Sequence, residues 1–151
     1  MQNFPHHYTV TASGDADRGV TLESVRLPAL PTAPPAEFGG PGDRWSPETL
    51  LVAAVADCFV LTFSVVARAF KVNWTGVTCE VRGTLDRVDH VTQFTEFAIQ
   101  ARLAVAAGTD EGLAHRALEK AERACLITNS LKAEIRFQAE VSAPELVGAP
   151  A

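Results

Sequence analysis

The stretch from Pro47 to Phe70 limits what this chain can fold into more than any other. Leu50 to Ala56, Cys58 to Leu61, Phe63, Val65 and Val66 make it apolar on nearly every side. Its start is well marked for a helix. Ser46 suits the N-cap, Pro47 the first helical position, and Glu48 the positive end of the helix dipole. A helix without a polar face has to be covered all round. A bilayer would cover it, since a span takes about 20 apolar residues. Against that, Asp57 sits at the centre, where a carboxylate costs at least about 2.5 kcal/mol in mid-bilayer. No second span accompanies it, and the mean hydropathy of the chain is only +0.08. The expectation is a core helix, not a membrane helix, wrapped by sheet, by a partner chain, or by both. Asp57 is then expected to be buried and hydrogen-bonded at the seam, or ion-paired to an arginine.

The remaining chain alternates as strands do. Tyr8–Ser13 and Gly19–Leu27 read as a hairpin around Gly14-Asp15-Ala16-Asp17. Prolines at 28, 31, 34, 35, 41 and 47 and glycines at 39, 40 and 42 make the next segment an irregular connection. Trp74–Val88 and Phe94–Val105 carry apolar residues at period two and meet near Asp89-His90. Thr109-Asp110-Glu111 opens a second, amphipathic helix to about Arg123. Cys125–Ser130 is a short irregular or one-turn segment, and Ala133–Val141 a last strand. Strands grouped around two helices predict an α+β fold with antiparallel sheet. The 151 residues fit one domain over residues 1–141, with 142–151 as a C-terminal tail.

Function classes narrow by subtraction. Thirteen basic against eighteen acidic residues give a net charge of −5 without a basic patch, so no nucleic-acid partner is expected. The N-terminus shows no basic segment followed by an apolar run, and three cysteines are an odd number, which points to a reducing, cytoplasmic setting. There is no CxxC, and His6, His7, His90 and His115 lack partners at metal-ligand spacing, so no metal is expected. Neither a nucleotide-binding glycine motif nor a nucleophile elbow occurs, so no cofactor is expected. What remains is thiol chemistry: Cys58 inside the apolar helix and Cys125 after the second helix. Cys79, in a strand, reads as a small buried hydrophobe.

Two segments together carry a resemblance: Ser46-Pro47-Glu48 running to Asp57-Cys58-Phe59, and Ala124-Cys125-Leu126-Ile127-Thr128-Asn129-Ser130-Leu131. A Pro-Glu start, a small and apolar helix, Cys-Phe ten residues after the Glu, and a late Cys before a polar residue resemble the OsmC/Ohr superfamily. That name joins the osmotically inducible protein C and the organic hydroperoxide resistance protein. The lead-in Glu37–Asp43 and the order of elements over about residues 8–141 fit as well. The resemblance implies antiparallel sheets wrapped around two central helices in an intertwined homodimer. It also implies a thiol-dependent peroxidase for organic hydroperoxides, with Cys58 as peroxidatic and Cys125 as resolving residue, joined in a disulfide. A thiol reductant would restore the pair; in the Ohr branch it is a lipoylated protein.

An apolar helix raises a thiol pKa, so the nucleophile needs support. The resemblance implies an arginine from the first hairpin turn, held by the helix-start glutamate, here Glu48. Arg18 lies in that turn but is displaced from the family position, which falls nearer Asp15; Arg44, just before the helix, is the other candidate. Ten residues of helix separate Glu48 from Cys58 by about 15 Å, so Glu48 cannot serve its own Cys58. A two-fold dimer of antiparallel helices would bring it to the other chain's cysteine and cover the apolar faces too. The rival reading is a non-enzymatic binding protein on the same scaffold, holding a lipid or small molecule between protomers.

Overall fold

The computed structural model describes residues 3–16 and 19–144. Contacts gather in two compact units, Met1–Leu51 and Val52–Ala151.

In the first unit, β1 (Thr11–Asp15), β2 (Gly19–Glu23) and β3 (Leu30–Thr32) form an antiparallel sheet in that order. The expected hairpin is present but slides along the chain. Gly14 and Asp15, read as turn residues, pair with Val20 and Gly19 in the ladder. β3 is the element the proline-rich sequence concealed. It is three residues long, contains Pro31, and lies at the sheet edge, where a missing N–H is tolerated. The rest of the connection is tightly folded. A 3-10 turn at Ala36–Phe38 closes on Gly39 at φ 81°, and a Cβ at Gly40 would run into the Pro34 carbonyl. The Ala33 N–H donates to the Trp45 carbonyl at 3.0 Å, drawing the two ends of the loop together.

Helix α1 (Pro47–Phe70) begins where the sequence places it. Ser46 Oγ accepts the Thr49 N–H at 3.1 Å, and Thr49 Oγ1 accepts the Ser46 N–H at 2.8 Å, a reciprocal cap. It ends as Lys71 enters the left-handed region at φ 56°, with the Val72 N–H returning to the Ala67 carbonyl at 2.9 Å.

In the second unit, β4 (Trp74–Val88) and β5 (Val91–Val105) form a long antiparallel hairpin. Asp89 and His90, both at positive φ, make its two-residue turn. Helix α2 (Glu111–Ala124) follows, capped by Asp110, whose carboxylate accepts the Leu113 N–H at 2.9 Å. β6 (Glu134–Ser142) then lies against β5. Here the expectation of antiparallel sheet fails at one pair: β5 and β6 are parallel. A helical crossover returns the chain to the edge of the sheet it left, and such a connection makes parallel neighbours.

The core of this unit packs Phe59, Phe63 and Ala67 of α1 and Ala117, Leu118 and Ala121 of α2 onto the inner face of β5. The Phe59 and Phe137 rings lie 5.4 Å apart, those of Phe63 and Trp74 5.6 Å. By length and apolarity α1 would satisfy a membrane span, but in this fold it is a packing helix whose buried stripe is Val55, Phe59, Phe63 and Ala67. That stripe repeats every four residues, so one chain covers one face only. Leu61 stays 60% and Val65 67% exposed. Asp57 is exposed in the single chain too, and among the described residues it has no ion pair.

Candidate active site

The middle of α1 presents Cys58 to the segment that leaves α2. Cys125 is the C-cap of α2, and a 3-10 turn at Thr128–Ser130 follows it. The polar residues of this turn tie it down. Thr128 Oγ1 donates to the Cys125 carbonyl at 3.0 Å, and the Asn129 N–H to the same carbonyl at 3.1 Å. Asn129 Nδ2 reaches the Arg123 carbonyl at 3.2 Å, and Ser130 Oγ the Leu126 carbonyl at 2.8 Å. Thr, Asn and Ser thereby satisfy carbonyls that a helix end leaves without partners.

Both thiols are free, Cys58 half-buried and Cys125 buried. Burial by itself would push the Cys58 thiol up. The Ile127 N–H, the Cys125 thiol, the Thr62 hydroxyl and the Leu126 N–H together outweigh it, and the thiol lies below its ordinary range. Thr62 Oγ1 sits 3.9 Å from Cys58 Sγ, one helical turn on. Cys125 moves the other way. Burial pushes it up, and its hydrogen bond to Cys58 and the charge there add to that, against the Thr128 N–H and hydroxyl. Neighbouring groups driven apart in this way divide the roles of anion and proton holder. Cys79 on β4 is pushed up to about 11, first by burial and then by the charge of Cys125, so a third thiol lies near the pair. A groove of about 420 Å³ opens at Cys58, walled mainly by Ala54, Leu61, Val65, Leu126 and Ile127, with Asp57 among them.

The structure therefore brings Cys58 and Cys125 together, 67 positions apart in the chain. Glu48 lies in the first unit, on the opening turn of α1, and its Oε2 is buried without a hydrogen-bond partner among the described residues. A buried carboxylate oxygen calls for a donor. Arg44, also in the first unit, stands beside Gly19 and 3.8 Å from Asp43. Arg18 falls outside the described residues. Among the described residues, no three His, Cys, Asp or Glu side chains converge as a metal site would require. Sequence reasoning missed Thr62 and the two backbone N–H donors. The four-residue spacing from Cys58 could have pointed to Thr62. Nothing in residue identity marks Leu126 and Ile127 as donors, because their amides act only once the turn is built.

Residues 40–140 match the family described as OsmC-like protein. Peroxiredoxin OsmC of Escherichia coli (strain K12) is 31% identical over 125 residues, 81% of this chain and 86% of its own. The uncharacterized protein YmaD of Bacillus subtilis (strain 168) is 25% identical over 142 residues, 91% of this chain and 94% of its own. Among solved structures, an organic hydroperoxide resistance protein OsmC from Legionella pneumophila superposes with a TM-score of 0.71 at 26% identity. It spans 91% of this chain and 99% of its own. An OsmC-like protein of unknown function from Vibrio cholerae shares the fold with a TM-score of 0.83 at 15% identity, over 90% of this chain and 100% of its own.

Proposed function

From the premise that the chain belongs to the OsmC-like family, we propose that it is a cysteine-based peroxidase that reduces organic hydroperoxides to alcohols. The observation that carries this reading is the Cys58–Cys125 pair, with one thiol lowered and its hydrogen-bonded neighbour raised. The Cys58 thiolate attacks the outer peroxide oxygen. An S–O bond forms, the O–O bond breaks, and the alkoxide leaves as alcohol after taking up a proton. Cys58 has given up two electrons and is now a sulfenic acid. The sulfur of Cys125 attacks it, an S–S bond forms, and the oxygen departs as water. A dithiol reductant, of the kind a lipoylated protein supplies, returns both residues to thiols by exchange.

The working unit we propose is a cytoplasmic homodimer. The uncovered face of α1, with Leu61 and Val65 exposed, supports it. So does the buried Oε2 of Glu48, which has no hydrogen-bond partner among the described residues and which an arginine, Arg18 or Arg44, would satisfy as it crosses to the partner's cysteine. The relatives named peroxiredoxin OsmC and organic hydroperoxide resistance protein favour the enzyme over a binding protein on the same scaffold. The test is peroxide consumption by Cys58→Ser. Loss of turnover with an intact fold is expected; substantial turnover would remove the assignment.

A further inference from the structure

Two hydroxyls lie just past Cys58 on α1, and they bond differently. Ser64 Oγ donates to the Val60 carbonyl at 3.0 Å, the usual habit of a hydroxyl inside a helix. Thr62 turns its Oγ1 to the Sγ of Cys58 instead, at 3.9 Å, and among the described residues its side chain has no other hydrogen bond. We propose that Thr62 is a catalytic residue of the peroxide step: its hydroxyl stands beside the O–O bond of a hydroperoxide at Cys58 and donates to the leaving oxygen as that bond breaks. This rests on the reading of Cys58 as the peroxidatic thiol.

Packing within one chain fixes the pair. Cys58 and Thr62 each precede a fully buried phenylalanine, Phe59 and Phe63, so both stand on one flank of the stripe that faces the core. Four residues of helix set one side chain above the other. Their separation of 3.9 Å is well beyond the roughly 2.5–3.0 Å of an O–H···O bond. It leaves room for an oxygen that meets Sγ from that side to come within hydrogen-bond reach of Oγ1. The sulfur attacks in line with the bond it breaks, so both peroxide oxygens extend outward from Sγ and the hydroxyl stands alongside them. The donors at the site also differ in kind. The Leu126 and Ile127 amides support the thiolate, and a backbone N–H points only where the chain fixes it. A hydroxyl hydrogen rotates to suit its acceptor. It faces the thiolate at rest and swings to the leaving oxygen as the charge moves there, while Oγ1 stays in place. A donor already aimed at developing charge lowers the barrier. Thr62 lends a hydrogen bond and no proton. The thiolate's electron pair forms the S–O bond, the O–O pair departs on the alkoxide, and water supplies the proton of the alcohol.

The test compares two reactions of Cys58 in the full chain, oxidation by cumene hydroperoxide and alkylation by iodoacetamide, with each rate read by peptide mass mapping. Both draw on the same thiolate, so the ratio of the two rates cancels any change in how much of it is ionised. The leaving groups differ: an alkoxide is a strong hydrogen-bond acceptor and iodide a poor one. Thr62→Val matches threonine in shape and lacks the hydroxyl. In that variant the ratio of oxidation to alkylation should fall roughly 10- to 100-fold, the worth of one hydrogen bond to a charged group. Thr62→Ser keeps the donor and should retain most of the parent ratio. An unchanged ratio in Thr62→Val overturns the role of Thr62 and leaves the peroxidase reading intact, and so does an equal fall in Thr62→Ser. A parent protein whose Cys58 alkylates normally but resists cumene hydroperoxide overturns the peroxidase reading, and the role of Thr62 with it.

Discussion

Cys125, at the C-cap of α2, lies close enough to Cys58 in the middle of α1 for each thiol to shift the other's ionisation. The two are free thiols with opposite leanings, Cys58 toward the anion and Cys125 toward the neutral form. The same segment that carries Cys125 supplies the Leu126 and Ile127 amides that lower Cys58, so the resolving thiol and the anion donors lie within three consecutive residues.

Removal of the resolving thiol separates the two chemical steps. Cys125→Ser should be oxidised once by an equivalent of cumene hydroperoxide and then stop. Intact mass should show added oxygen on Cys58 instead of the loss of two hydrogens. A disulfide formed in normal yield, through Cys79 for example, would contradict the pairing.

Cys79 gives the fold a pH dependence of its own. Its thiol is pushed up to about 11 by burial, whereas an unfolded chain ionises it near about 8.5. Between those values the folded state holds more protons than the unfolded one, so stability falls as pH rises. Its contribution is whole below the unfolded value and is lost as pH climbs through the folded one. Denaturant unfolding at pH 8 and again near pH 10.5 should show this decline, and Cys79→Ala should flatten it. An equal slope in the variant would place the alkaline loss elsewhere.

Glu48 tests the dimer. Glu48→Ala and Cys58→Ser should each be weak or inactive as homodimers. Refolded together, they should regain up to one working site per heterodimer, built from Glu48 of one chain and Cys58 of the other. If heterodimers form and activity stays absent, Glu48 is a helix-start charge worth about 0.3–1 kcal/mol.

Local chemistry made much of this fold legible in the sequence. Ser46, Pro47 and Glu48 announced α1, Asp110 announced α2, and period-two apolar residues announced β4 and β5, because caps and alternation act over a few residues. Features decided by distant partners stayed hidden. β3 exists only by pairing with β2, and the parallel set of β6 on β5 depends on where α2 delivers the chain. The apolar surround of α1 implied a cover on every side, yet composition could not apportion that cover between one chain and two. At the site, the two cysteines were readable as a pair through family resemblance. Their opposite leanings were not, since these come from backbone amides, burial and one threonine placed by the folded turn.

The central claim is that Cys58 and Cys125 are a peroxide-driven redox couple, and counting thiols tests it most directly. The fully reduced protein, with three free cysteines, is treated with one equivalent of cumene hydroperoxide per chain and titrated under denaturing conditions. The account predicts the loss of two thiols per chain and a Cys58–Cys125 disulfide in the peptide map, with Cys79 still free. Three thiols remaining after treatment would contradict it.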